Sequence, residues 1–153
     1  MRMRLESVLA VLGVGLAIVA SASGSATLSG PGTIRISDRE VNHIHVDGGA
    51  PGRGAGDEDF YRQVLFNKRI TPKAIGHSDI TCINTGTGSM NCTGTYFLPK
   101  GKIMVGGVIG SRLFYEFAVY GGTGLYNNVR GTVTATYLGG LTATEFLLFR
   151  LVA

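Results

Sequence analysis

Two glutamates sit where a carboxylate is unexpected. Glu116 alternates with Phe114, Ala118 and Tyr120, and Glu145 alternates with Ala143, Leu147, Phe149 and Leu151. Residues two apart on an extended strand share a face, so each carboxyl shares a largely apolar surface. Such a face points into a cavity or into a subunit contact. Inside an apolar cavity the carboxyl pKa rises, which suits a general acid. A glutamate paired with Arg112, Arg130 or Arg150, or one at an exposed rim, has only a structural role. Arg130 shares its face with Thr132, Thr134 and Thr136, a polar row that lines either a lumen or the solvent side. A guanidinium there could hold a phenolate, carboxylate or enolate. Tyr96, Tyr115, Tyr126 and Tyr137 can hydrogen-bond a ligand, with core packing as the competing use. Arg130 and Glu116 are the catalytic candidates; Tyr96, Tyr126 and Glu145 are candidates for ligand binding.

His43 and His45 fall at i and i+2, on one face of a strand, and His77 is a third imidazole. His-x-His can bind a metal, but no suitably spaced acidic partner stands out, and no metal is assigned. Gly121-Gly122-Thr123-Gly124 lacks the Lys-Ser/Thr and the helix of a phosphate loop; its glycines fit positive-φ turns between antiparallel strands. Cys82 and Cys92 flank Asn84-Thr85-Gly86-Thr87-Gly88-Ser89. A hairpin centred on Thr87 sets the cysteines directly opposite one another, within disulfide reach. The bridge is worth roughly 2–3 kcal/mol by loop-closure entropy; two free buried thiols are the alternative. Asn91-Cys92-Thr93 also matches a glycosylation pattern.

The elements that must position these groups read as strands. Thr33–Ile36 and Val41–Val46 form short strands in a lead-in, and a Gly/Pro/charge-rich loop runs from Asp47 to Glu58. Phe60–Asn67, Ala74–Ile83, Met90–Pro99, Ile103–Ile109, Arg112–Tyr120, Val129–Leu138 and Thr142–Val152 follow, divided by turn signals every 8–12 residues. Strands at this spacing argue for a sandwich or a barrel. The last strand is apolar on both faces, which closure or an oligomer contact should cover. Gly94, Gly106, Gly107 and Gly131 lie inside strand patterns, where the bends of a small barrel need them.

The chain has 153 residues, 44% of them apolar and only 16% charged, with 24 glycines and no tryptophan. One domain is expected, with enough apolar surface for a core. Leucine-rich heptads are absent, excluding a coiled coil. The net charge of +4 is dispersed, a poor match to nucleic acid. Arg2 and Arg4 precede thirteen residues, Val8 to Ala20, that are all apolar or glycine, then Ala20-Ser21-Ala22-Ser23-Gly24-Ser25-Ala26. This is the pattern of a secretory signal peptide, with cleavage after Ala22 or Ala26. The apolar run falls short of a bilayer core, and a permanent anchor is the alternative reading. Residues 1–26 are therefore expected to be a leader, with no membrane anchor after cleavage and a secreted mature protein; 27–55 is expected to be the lead-in and 56–153 the barrel.

From Gly56 to Leu151 the chain resembles the allene oxide cyclase and dirigent barrels, particularly small secreted bacterial relatives. Gly56-Asp57 with Leu65-Phe66-Asn67 resembles the family's opening and first long strand. Gly76 with Cys82 resembles its Gly…Cys strand, and Thr95-Tyr96-Phe97-Leu98-Pro99-Lys100-Gly101-Lys102-Ile103 resembles its next hairpin. Ala118-Val119-Tyr120-Gly121-Gly122-Thr123-Gly124-Leu125-Tyr126 followed by Val129-Arg130-Gly131 resembles its most recognisable stretch. The resemblance implies a closed eight-stranded antiparallel all-β barrel with an apolar cavity, commonly a homotrimer, working without metal or organic cofactor. It places Gln63, or Arg62 with a one-residue slip, where allene oxide cyclases carry an asparagine, which adds Gln63 to the ligand-binding candidates. His45 falls where those enzymes carry an acid, and Arg130 resembles an arginine at the dirigent cavity.

The expected function is a secreted barrel that binds a small apolar or phenolic molecule in its lumen. There it directs cofactor-free cyclisation or stereoselective coupling by confining one conformer. A lipocalin-like carrier and a structural or interaction barrel with a filled lumen are the alternatives. Carrier and enzyme both require a cavity.

Overall fold

Period-two alternation organises this chain into eight strands. The computed structural model describes residues 32–67, 73–139 and 143–153. The leader assigned to 1–26 and the first residues of the lead-in lie outside the described residues. The strands are β1 Gly32–Val46, β2 Glu58–Asn67, β3 Gly76–Asn84, β4 Met90–Leu98, β5 Gly101–Ile109, β6 Phe114–Gly122, β7 Arg130–Tyr137 and β8 Thr144–Val152. Each pairs antiparallel with the next in sequence, and β1 also pairs with β8 to close the barrel. Closure leaves no unpaired sheet edge along β8, whose two apolar faces are thereby tolerated.

Most strand ends shift by one or two residues from the sequence reading, and two differences change the barrel. The two short strands of the lead-in are one 15-residue strand, and the barrel begins with it rather than at Gly56. The polar run Ser37-Asp38-Arg39-Glu40 reads as a break, yet Ser37 and Asp38 are buried in the ladder. The irregularity is a one-residue bulge at Val41, where the register passes from Glu40↔Gln63 to Asn42↔Arg62. The sixth strand starts at Phe114 rather than Arg112 and runs through Gly121-Gly122. The β6–β7 connection holds one short 3-10 turn, Gly124–Tyr126.

Cys82 and Cys92 occupy opposed positions on β3 and β4, joined by a disulfide with their Cα atoms 4.0 Å apart. Gly131 has φ 137°, and a Cβ there would meet the Arg150 carbonyl oxygen at 2.0 Å. Only glycine permits that close strand approach. The lower lumen is packed solid by Leu65, Tyr96, Ile103, Val105, Leu147 and Phe149, all fully buried. Tyr96 meets Phe149 edge-on, ring centroids 5.0 Å apart.

Candidate functional site

The lumen is not filled at the end carrying the connections after β3, β5 and β7. A cavity of about 240 Å³ opens there, walled by Ile80, Cys82, Met90, Ile109, Leu113 and Phe117. Among these apolar groups stand Glu40, Tyr61, Gln63, Arg112, Tyr115 and Glu145. Alternation explains the set: Tyr61 and Gln63 face inward on β2, Tyr115 and Phe117 on β6, and Glu145 continues the inward row of Leu147 and Phe149 on β8.

The polar groups are organised in pairs. Tyr115 donates its hydroxyl proton to Glu145 Oε2 at 2.6 Å. Burial raises the Glu145 pKa, and the Tyr115 hydrogen bond and the Arg112 charge offset part of that rise. The Tyr115 phenol is pushed far up, first by burial and then by the neighbouring Tyr96 and Glu145. Arg112 Nη2 donates to the Tyr61 hydroxyl, and its guanidinium lies over the Tyr61 ring, 4.9 Å from the centroid. Burial pushes the Tyr61 phenol up to about 12 against the opposing pull of Arg112. Ser78 donates its hydroxyl to Gln63 Oε1 within the wall. Together these form a largely apolar pocket with one cation, Arg112, two carboxyls, Glu40 and the raised Glu145, and several hydroxyls, able to orient an anionic or phenolic group and to move a proton.

One layer deeper lie Asp38 and Tyr96, both fully buried. Asp38 faces Glu145 in the β1–β8 register and accepts the Glu145 backbone N–H at 3.0 Å through Oδ1. Burial, and then the charge of Glu145, raise its pKa to about 8. At the rim, His43 Nε2 and His45 Nδ1 both donate to Asp59 Oδ1, at 2.7 and 2.9 Å. Burial raises the Asp59 pKa, but these two hydrogen bonds outweigh it and leave the group below its ordinary value. His43 also stacks on Tyr61, centroids 4.5 Å apart, so the rim cluster braces the cavity wall.

The sequence-derived candidates are divided among several places. Gln63 and Glu145 meet in the cavity. Tyr96 lies beneath it, and Tyr126 is at the opposite end of the barrel, beside a hollow lined by Ile34, Leu98 and Leu151. Glu116 and Arg130 point outward and are exposed. The reason is strand parity: Tyr115, Phe117 and Val119 take the inside of β6 and Val133 and Ala135 the inside of β7, leaving the Glu116 and Arg130 rows outside. Arg130 Nη1 donates to the Val129 carbonyl at 2.9 Å. His77 lies apart from His43 and His45, stacked on Phe97 with centroids 4.4 Å apart.

No protein-family model matches the sequence, and no curated relative is found. Solved structures do match the fold. A pyocyanin demethylase superposes with TM-score 0.67 at 24% identity, covering 78% of this chain and 99% of its own. The pterocarpan synthase dirigent protein PsPTS1 superposes with TM-score 0.66 at 16% identity, over 80% and 94%. AbnU, an exo-specific intermolecular Diels-Alderase, gives TM-score 0.62 at 12% identity, over 78% and 98%. The fold is that of the allene oxide cyclase/dirigent barrels.

In this dirigent-type barrel the residues that sequence reasoning missed are Arg112, Tyr61, Glu40 and Asp38. The sequence puts Arg112 at the start of a strand, as a partner for a glutamate; it sits instead in the short β5–β6 connection, which brings it to the cavity. Tyr61 shares a period-two face with Gln63 and Leu65, a signal that was available. Asp38 carried no signal, because its polar neighbours resemble a turn.

Proposed function

We propose that the protein binds a small apolar or phenolic molecule in its lumen and directs the cyclisation or coupling of that molecule. The apolar wall holds one reactive conformer, while Arg112 with Tyr61 and Glu145 with Tyr115 steer developing charge. The observation that carries this reading is the cavity itself, about 240 Å³ of apolar space holding two distinct polar pairs. The activities named for the structural neighbours, a pterocarpan synthase dirigent protein and an exo-specific intermolecular Diels-Alderase, agree with this use of a barrel. Export rests on the leader pattern of residues 1–26. A homo-oligomer, a homotrimer by the family resemblance, would cover the exposed Val108, Phe114 and Tyr120 of the outer wall.

Incubation of the mature protein with phenols, polyketides and fatty acids, read by native mass spectrometry, tests lumen binding. Oxidative coupling of a bound phenol, read by chiral chromatography, tests direction. A bound species and a product of one handedness are expected, with both reduced by Arg112→Ala. Absence of binding across all three classes removes the lumen reading. Binding with an unchanged racemic product leaves a carrier.

A further inference from the structure

Asp38 Oδ2 and the Tyr96 hydroxyl are buried polar atoms without a hydrogen-bond partner among the described residues. Their neighbours in the barrel are satisfied: Tyr115 is bound to Glu145, Ser78 to Gln63, and Arg112 to Tyr61. An unpaired buried polar atom costs free energy comparable to a lost hydrogen bond, so an orphan in a native interior calls for an explanation. Both residues lie directly beneath the cavity wall, one layer below residues that line it. Asp38 is the next inward residue on β1 below Glu40, which lines it, and is bound to the backbone of Glu145, which also lines it. Tyr96 is the register partner of Ser78, whose hydroxyl holds the cavity-wall residue Gln63.

We propose that Asp38 and Tyr96 form a carbonyl-binding subsite at the cavity floor, with Glu145 as the base for the carbon next to that carbonyl. This rests on the lumen-binding reading and narrows its ligand to enolisable ketones and enones. Burial keeps the Asp38 carboxyl protonated at neutral pH, and the Tyr96 phenol is held neutral well above that. A neutral carboxyl and a phenol are both donors here, and two donors without an acceptor select an oxygen acceptor. They hold it more tightly as negative charge develops on it, as a carboxyl kept neutral by an apolar site can do. In the step, the Glu145 carboxylate takes the α-proton. The C–H pair becomes the carbon–carbon π bond, and the carbonyl π pair moves onto the oxygen held by Asp38 and Tyr96. The enolate carbon then forms a bond to the β-carbon of an enone in the same ligand, whose carbon–carbon π pair moves toward its own carbonyl and takes up the proton held by Glu145, or the first enolate simply regains that proton.

The probes are α-tetralone and tetralin, which share a skeleton and differ in the carbonyl. Calorimetry is expected to show α-tetralone binding about tenfold more tightly, because a site built to hydrogen-bond one group discriminates against the analogue lacking it. The carbonyl stretch of bound ¹³C-labelled α-tetralone should move to lower wavenumber. Its α-protons should exchange in D2O, seen by NMR. Tyr96→Phe deletes an unsatisfied hydroxyl, so it should hold or raise Tm while reducing both the preference and the infrared shift. Asp38→Asn, still a neutral donor, should retain the shift, and Asp38→Leu should lose it. Glu145→Gln should stop exchange and leave the shift in place. Equal binding of the two probes with an unshifted carbonyl overturns the subsite while the lumen reading stands. Failure of both probes to bind overturns the subsite as well, while the lumen reading is decided separately by the phenol, polyketide and fatty-acid panel.

Discussion

At the scale of single residues, the cavity depends on Arg112. It is the cation of the cavity wall, and it holds the Tyr61 hydroxyl while stacking on that ring. A guanidinium in this position offers a planar fork to a carboxylate or phenolate, which an ammonium cannot reproduce. Arg112→Ala is therefore expected to weaken binding of 2-naphthoate about tenfold or more, the scale of a charge-assisted hydrogen bond. Naphthalene, which has the same ring without the charge, should change little. Arg112→Lys should recover only part of the loss, because it keeps the charge and gives up the fork and the stacking. Fluorescence titration of the two ligands measures the difference. An equal loss for both would assign Arg112 to shaping the mouth rather than to recognising charge.

At the scale of elements, the β3–β4 hairpin is fastened by Cys82–Cys92, and Cys82 is also part of the cavity wall. The paired substitution Cys82→Ala/Cys92→Ala should lower unfolding free energy by roughly 2–3 kcal/mol, measured by urea denaturation. It should also loosen ligand binding, since one side of the pocket loses its fastening. This hairpin was fully legible in the sequence, because the turn residues fix a centre and the centre fixes the register. The barrel was legible in part: turns at regular spacing left a sandwich or a barrel, the doubly apolar last strand favoured closure, and the family resemblance implied eight strands. The facing of β6 was not. Phe114, Ala118 and Tyr120 form one apolar row and Tyr115, Phe117 and Val119 another, so composition alone does not say which row turns inward. Parity there sends Glu116 to the solvent and Tyr115 to the cavity. The same ambiguity hid Asp38, since a carboxylate among Ser37, Arg39 and Glu40 looks solvated until β8 closes over it.

At the scale of the whole molecule, the buried acids set how stability responds to pH. Asp38 holds its proton up to about pH 8 in the folded barrel, whereas an unfolded aspartate releases it near pH 3.9. Between those values the folded state binds a proton that the unfolded state does not, so stability falls as pH rises, by at most about 1.4 kcal/mol per unit. This contribution is complete below the unfolded value and lost once the pH passes the folded one. Glu145, also raised by burial, acts in the same direction. Asp57, Asp59 and Asp79 act oppositely: backbone N–H groups from Gly54 and Gly48, the His43 and His45 rings, and Arg62 hold them down. Their contribution is present above the unfolded value and is lost only as the pH drops through their depressed range. The two sets together place maximum stability in mild acid, with Tm falling from pH 5 to pH 8. Glu145 on β8, Glu40 on β1, Tyr96 on β4 and Tyr115 on β6 are the titratable groups whose charges couple to Asp38, and of these Glu145 adds to the slope. Asp38→Asn keeps the shape of the carboxyl and removes its titration, so thermal scans across that interval should flatten more for it than for Glu145→Gln. A native Tm that stays level or climbs from pH 5 to pH 8 would mean that Asp38 is ionised in the folded barrel. The buried donor that the floor of the cavity needs for a carbonyl would then be lost.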